Sequence, residues 1–239
     1  MNNLSDLLII GDSVALGAAE VRGNDIVEYI QPTCVDLLKA ALPHLTVRID
    51  AQVRRNSVSV RDEIDALIEK HHPAHTLLLI GGSDADMDWK RFIVSDGKVA
   101  RNRVPVERYE KNMRHICERL IAAGATPILT DVHNHNFAIC GPYVAALTGK
   151  DIPAMIINGG GQSESDRHLM QYREAVTKIS NDLGLQLIAF GHAMDQYPPE
   201  QMVSHDGTHP SAAGHRVIGA MFITALGQSA RAGLAELSA

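Results

Sequence analysis

The sequence predicts a doubly wound α/β sandwich: a five-stranded parallel sheet with helices on both faces. Three observations carry this. Short aliphatic runs without polar alternation recur along the 239 residues, as strands buried on both faces require. Stretches with apolar residues at 3–4 spacing separate them, as amphipathic helices do. The two kinds alternate, which is the pattern of βαβ units.

Leu7-Leu8-Ile9-Ile10 opens the sheet and stops abruptly on Gly11-Asp12-Ser13. Ser13 therefore falls at a strand's C-terminal end, where open α/β sheets place their chemistry. Taken alone, Gly-Asp-Ser equally fits a turn whose serine caps a helix. Pro32, Val35, Leu38 and Leu42 then give a helical stripe that ends at Pro43, and Leu45–Ile49 reads as the second strand. Val60, Ile64, Leu67 and Ile68 share one helical face, with Arg61, Asp62, Glu63 and Glu69 mostly elsewhere. Thr76–Ile80 is the third strand and ends at Gly81-Gly82.

Tyr109, Met113, Ile116, Cys117, Leu120 and Ile121 form the clearest helix, with Gly124 as its stop. Thr126–Thr130 is the fourth strand, where Pro127 is tolerated at an early position. A helix through Leu169, Tyr172, Val176, Ile179 and Leu183 closes at Gly184 and leads to a fifth strand, Gln186–Phe190. Pro210 begins the last helix, with Val217, Ile218, Met221, Phe222 and Ala225 on its buried side.

No linker, repeat or low-complexity run divides the chain, so a single domain over 1–239 is expected, with insertions at about 84–106 and 132–163. The first insertion carries Trp89, Phe92 and the turn signal Ser95-Asp96-Gly97-Lys98, and predicts a small hairpin or lid. The second runs from His133 to Ser163 with at most a short helix. Loops of this length at the C-terminal edge of a parallel sheet shape substrate pockets. Trp89 and Phe92 suit an acyl or sugar pocket, and equally ordinary packing.

The balance of 22 basic against 28 acidic residues, net −6, provides no footprint for nucleic acid or an anionic membrane. Small substrates fit better. No apolar run reaches membrane-spanning length, and the segment from Met1 to Asp6, which lacks a basic stretch followed by a long apolar one, is not expected to be a signal peptide. Cys34, Cys117 and Cys140 are scattered and odd in number, as expected of small buried hydrophobes in a reducing, cytoplasmic setting.

A serine hydroxyl needs a base to take its proton and a third group to orient that base. After the last strand the chain reads Ser204-His205-Asp206-Gly207-Thr208-His209-Pro210. A carboxylate three residues before the imidazole can accept its Nδ1 hydrogen and leave Nε2 free as base. Gly11-Asp12-Ser13 near one end, paired with Asp206-Gly207-Thr208-His209-Pro210 near the other, resembles the SGNH hydrolases, also called the GDSL esterase/lipase family. The resemblance spans nearly the whole chain and implies a flavodoxin-like fold, with Ser13 as nucleophile, His209 as general base and acid, and Asp206 as its orienter.

The family pattern also implies an oxyanion hole made by the nucleophile's amide, a glycine amide after the second strand and an asparagine side chain after the third. Here Arg54-Arg55-Asn56-Ser57-Val58-Ser59-Val60 places Ser59 at the glycine, with Asn56 as the rival. Gly81-Gly82-Ser83-Asp84 places Ser83 where the asparagine is expected, a shorter donor. Asp84 is expected to hold loops by accepting amide hydrogens.

No metal or organic cofactor is expected. His133-Asn134-His135 is half of a zinc site without cysteine or carboxylate nearby, and reads as a solvated or substrate-contacting pair. His215 reads as a surface group or one behind the site. Gly159-Gly160-Gly161 lacks the Lys-Ser/Thr ending of a phosphate loop. The resemblance thus implies hydrolysis of a small carboxylic ester through an acyl-enzyme, with a short-chain acyl group such as acetyl on a carbohydrate. A binding protein weakened in turnover by Ser83, or an acyltransferase, are the alternatives.

Overall fold

The structure, a computed structural model, describes residues 4–159 and 161–236, so Met1–Asn3 of the N-terminal segment and Gly160 of the glycine run lie outside it. In chain order the first half contains β1 (Asp6–Gly11), β2 (Ala18–Arg22), β3 (Asp25–Tyr29), α1 (Cys34–Ala41), β4 (Thr46–Ala51), α2 (Ser57–His71), β5 (His75–Leu79), α3 (Gly82–Ala85) and α4 (Trp89–Val94). The second half contains α5 (Val106–Ala122), β6 (Thr126–Thr130), α6 (Phe137–Thr148), α7 (Ile152–Asn158), α8 (Gly161–Leu183), β7 (Gln186–Ile188), α9 (Phe190–Met194), α10 (Pro199–Met202) and α11 (Ala212–Glu236).

Five strands form one parallel sheet in the order β4-β1-β5-β6-β7. Counted among themselves these strands run 2-1-3-4-5, the flavodoxin-like order, whose direction of winding reverses between the first and third. That reversal lies between β1 and β5, so the chain segments after Gly11 and after Leu79 open onto one crevice. Alternation along β1 assigns its side chains to two cores. Leu8 and Ile10 pack with Val60, Ile64, Met113 and Ile116 of α2 and α5, while Leu7 and Ile9 pack with Leu38 of α1 and Ile218 and Phe222 of α11. All four β1 aliphatics are fully buried, each worth roughly 1.5–3 kcal/mol of transfer free energy.

Four sequence expectations are corrected. Residues 18–29 form a separate antiparallel hairpin, β2–β3, turning at Gly23-Asn24, and no strand was expected there. The fifth strand ends at Ile188: Phe190 leaves the sheet to begin α9, because the Asp131 carboxylate accepts the amide hydrogens of Gly191 at 2.6 Å and His192 at 3.2 Å. The first insertion is α3 and α4 closed by an isolated Met87–Asn102 bridge, not a hairpin. The second holds two helices, α6 and α7. The apolar residues of α6 are spread around its circumference and Pro142 interrupts them, so it lacks the one-sided stripe that marks a helix in sequence. Phe92, Phe137, Cys140, Ile152 and Ile156 form a small core that ties these insertions together above the sheet.

Candidate active site

Strand β1 delivers Ser13 to the crevice. Gly11, its last residue, lies so close to the following turn that an added Cβ would sit 2.4 Å from the Ala15 Cβ. The Asp12 carboxylate then accepts the Val14 amide hydrogen at 2.9 Å and also that of Ser83 after β5, tying the two sides of the crevice together. Burial raises the Asp12 carboxyl to about 6 against those hydrogen bonds.

The Ser13 Oγ lies 3.0 Å from Nε2 of His209, 196 residues away in sequence. His209 Nδ1 lies 2.6 Å from Asp206 Oδ2. A carboxylate can only accept, so Nδ1 carries the hydrogen and Nε2 presents its lone pair to the serine O–H. The other Asp206 oxygen accepts the amides of Thr208 at 2.8 Å and His209 at 2.9 Å and the Ser204 hydroxyl at 2.8 Å. Burial pushes the Asp206 carboxyl up, but the His209 contacts and these amides outweigh it and hold it at about 2. Burial lowers the His209 imidazole, but the hydrogen bond and charge of Asp206, joined by the charges of Asp12 and Asp86, together outweigh it, so its net shift is upward.

The loop carrying Asp206 and His209 is anchored on three sides. Ser204 donates its amide hydrogen to the His209 carbonyl at 2.7 Å, and Val203 bridges Pro210, which is why α11 starts at Ala212 rather than at the proline. The β2–β3 hairpin holds it from a second side: the Ser204 hydroxyl shares its one hydrogen between Asp206 Oδ1 and the Ala19 carbonyl, which lies 2.6 Å away, and Glu20 pairs with His205 at 3.1 Å while accepting the Tyr143 hydroxyl at 2.6 Å. On the third side Gly207 packs on the start of α6. Its φ is +72°, and a Cβ there would lie 2.4 Å from the Cys140 amide nitrogen. Gly207→Ala is therefore expected to lower stability by about 2 kcal/mol or more and to reduce turnover with it, read by urea denaturation beside kcat. Unchanged values for both would contradict this anchoring.

Of the residues expected at the oxyanion, Ser83 lines the cleft with Ser13, but Ser59 does not. Ser59 sits in the first turn of α2, where its amide donates to Asn56 Oδ1 at 3.1 Å and its hydroxyl accepts from the Asn56 amide at 3.2 Å. Asn56 is the N-cap of that helix, so both candidates serve a capping box. The residue after β4 that does reach the cleft is Arg54, at φ +61° and with no hydrogen bond from its amide among the described residues. Its backbone conformation was hidden in the sequence because arginine rarely adopts it. Asp84 accepts the Ser57 amide at 2.9 Å and its hydroxyl at 2.5 Å, locking α2 to the turn after β5.

The cleft measures about 230 Å³. Trp89 and Ile93 of α4 and Tyr143, Val144 and Leu147 of α6 form its apolar wall, whereas Phe92 is buried in the small core beneath. His133 and His135 also line it; both are buried rather than solvated, and burial takes them down to about 3 and about 4, so they are neutral. His133 Nε2 donates to the Thr208 carbonyl at 2.7 Å. His215 lies behind the site, fully buried, accepting the Cys34 amide of α1 at 3.2 Å. Among the described residues, the grouping with metal-ligand spacing is Glu20, Glu28 and His205, and Glu20 there already accepts from Tyr143 and Arg22. No described helix is long and apolar enough to cross a membrane.

Similarity to known proteins agrees with this fold. The profile of the GDSL-like Lipase/Acylhydrolase family matches residues 9–217. No curated protein matches the sequence significantly. Among solved structures, a lipase/acylhydrolase from Enterococcus faecalis superposes with a TM-score of 0.66 at 16% identity, covering 93% of this chain and 96% of that one. An acetylxylan esterase from Geobacillus stearothermophilus gives 0.64 at 18% identity, covering 95% and 96%. The psychrotrophic esterase EstA from Pseudoalteromonas sp. gives 0.60 at 17% identity, covering 94% and 97%. At these identities the structural likeness speaks to the fold, and the profile match over most of the chain speaks to descent: this chain belongs to the GDSL-like lipase/acylhydrolase family.

Proposed function

We propose that the chain is a serine hydrolase that cleaves a small carboxylic ester through an acyl-enzyme. The observation that carries this reading is the continuous hydrogen-bonded series Ser13–His209–Asp206 in the crevice between β1 and β5. Ser13 Oγ attacks the ester carbonyl as its proton passes to His209 Nε2, and Asp206 stabilises the imidazolium. The tetrahedral intermediate collapses, His209 returns the proton to the departing alcohol, and the acyl group stays on Ser13. Water then attacks the acyl-enzyme, His209 again taking the proton, and the acid leaves with Ser13 restored.

The oxyanion is received by the Ser13 amide, which bonds to nothing else among the described residues, with the Arg54 amide taking the place expected of Ser59 and the Ser83 hydroxyl that of an asparagine. A short acyl group suits a cleft of this size, and the acetylxylan esterase among the structural relatives supports an acetyl ester on a carbohydrate. A fluorophosphonate probe tests the reading. Covalent labelling that maps to Ser13, together with hydrolysis of p-nitrophenyl acetate, is the expected result. Folded protein that neither labels nor turns over would instead be a binding protein of the same fold.

Ser83 gives a second test. One missing oxyanion donor lowers turnover about 10²–10³-fold in hydrolases of this mechanism. The Asp12 carboxylate fixes the Ser83 backbone, so Ser83→Asn changes only the donor's reach. It is expected to raise kcat by about tenfold or more, measured on p-nitrophenyl acetate. A fall in kcat would mean that the serine side chain has a role of its own.

A further inference from the structure

Two arginines line the cleft that holds Ser13, and they are placed differently. Arg103 pairs with Asp86 at 2.7 Å. Arg54 makes no ion pair or side-chain hydrogen bond among the described residues. The three carboxylates that line the cleft are all engaged elsewhere: Asp86 with Arg103, Asp12 with the amides of Val14 and Ser83, and Asp206 with His209 and its own loop. The Arg54 side chain is exposed to solvent where it lines the cleft, and partial desolvation there together with the positive charge of Arg103 presses its guanidinium below its ordinary value, with Asp86 opposing them. Asp86 is ion-paired to Arg103 and neither Asp12 nor Asp206 pairs with Arg54, so the Arg54 guanidinium is the cation in this cleft that has no direct ion-pair partner among the described residues and can take an anion.

The backbone supports a role for the Arg54 side chain itself. Its φ of +61° is the left-handed region, where glycine would be relaxed and a Cβ is strained. Strain kept at a position facing a cleft points to use of the side chain that causes it. The neighbouring wall of Val21, Trp89, Ile93, Val144 and Leu147 is apolar and suits the carbon skeleton of a ligand rather than its charge.

We infer that the ester cleaved here carries a second, ionised carboxylate, held by the Arg54 guanidinium with Arg103 beside it. The inference rests on the ester-hydrolase reading and names its substrate class. Guanidinium and carboxylate match as planar, two-pronged partners, which a lysine would not reproduce fully.

Two matched pairs of alkyl esters test it. In the first the charge lies on the alcohol side: 4-acetoxybutanoate against its neutral amide, 4-acetoxybutanamide, with acetate release measured. In the second it lies on the acyl side: monoethyl glutarate against ethyl glutaramate, with ethanol release measured. In at least one pair the charged ester is expected to have a kcat/KM at least about tenfold higher at low salt, the preference shrinking as salt screens it. Arg54→Gln is expected to abolish the charged-to-neutral ratio, and Arg54→Lys to retain part of it. Turnover of the neutral esters with no charged preference in either pair overturns this inference and leaves the hydrolase reading standing. A preference that survives Arg54→Gln overturns the assignment to Arg54. No turnover of all four esters together with no labelling of Ser13 overturns both.

Discussion

Ser13→Ala is expected to lower kcat on a short-chain ester by about 10⁴–10⁶-fold and to abolish fluorophosphonate labelling. The reason is local. The Oγ is the only atom lost, its hydrogen-bond partner is His209 Nε2, and the imidazole stays fixed through Nδ1 to Asp206. The Ser13 amide survives the change, so oxyanion stabilisation and substrate binding persist and account for the residual rate. KM is expected to change little, since the hydroxyl acts in the transition state more than in binding. Stability should move by no more than about 1 kcal/mol, the net worth of one hydrogen bond. Measurement of kcat beside a denaturation curve separates the two effects. A variant that keeps a tenth of the wild-type rate, or still takes up the probe, would exclude Ser13 as the nucleophile.

The central sheet was readable because burial on both faces leaves a plain trace. Leu7–Ile10, Thr76–Ile80 and Thr126–Thr130 contain few polar residues, and the structure places them as β1, β5 and β6 within a residue or so of those bounds. The hairpin of β2 and β3 left a weaker trace. Only Ala18, Ala19 and Glu20 of its residues are buried, and its exposed Val27 and Tyr29 break the alternation. Its signal was Gly23-Asn24, a two-residue turn of the kind that joins antiparallel strands. Without that hairpin nothing in the sequence pointed to Glu20, which links the Asp206–His209 loop to α6 through His205 and Tyr143.

The candidate site divides along the same line. Ser13, Asp206 and His209 could be paired from sequence because their spacing at two chain ends is coupled to the fold, and the structure brings them into one hydrogen-bonded series. The residue after the second strand could not be found by spacing. Asn56 and Ser59 have the composition of a loop, yet they cap α2 reciprocally, and capping residues and oxyanion donors are drawn from the same small polar set. Arg54 was hidden for the opposite reason, since a long cation at a left-handed position follows no propensity.

Asp206→Asn carries the second large effect and adds a pH signature. An asparagine can keep the Thr208 and His209 amides on its oxygen, but its NH2 would then face His209 Nδ1. Nδ1 must become the acceptor, the hydrogen moves to Nε2, and Nε2 points an N–H at Ser13 instead of a lone pair. Loss of about 10⁴-fold in kcat is expected from this wrong tautomer. The wild-type imidazole is raised above its usual value near 6.5 because Asp206, with Asp12 and Asp86 beside it, outweighs the effect of burial, so the acid limb of kcat/KM should lie above that value. Removing the carboxylate leaves burial to act with less opposition, and the limb should move to lower pH in the variant's residual activity. Stability follows with opposite signs for the two groups. The lowered Asp206 carboxyl stabilises the fold above its unfolded value of about 3.9, and this is lost as pH falls through about 2. The raised His209 stabilises it below about 6.5, and this is lost as pH rises through its folded value. Both contributions are present together between about pH 4 and 6.5, so the stability gap between wild type and Asp206→Asn should be widest there and narrower at pH 3 and pH 8.5. Denaturation curves at three pH values measure that gap, and a gap that only widens toward pH 8.5 would mean that Asp206 and His209 are not coupled.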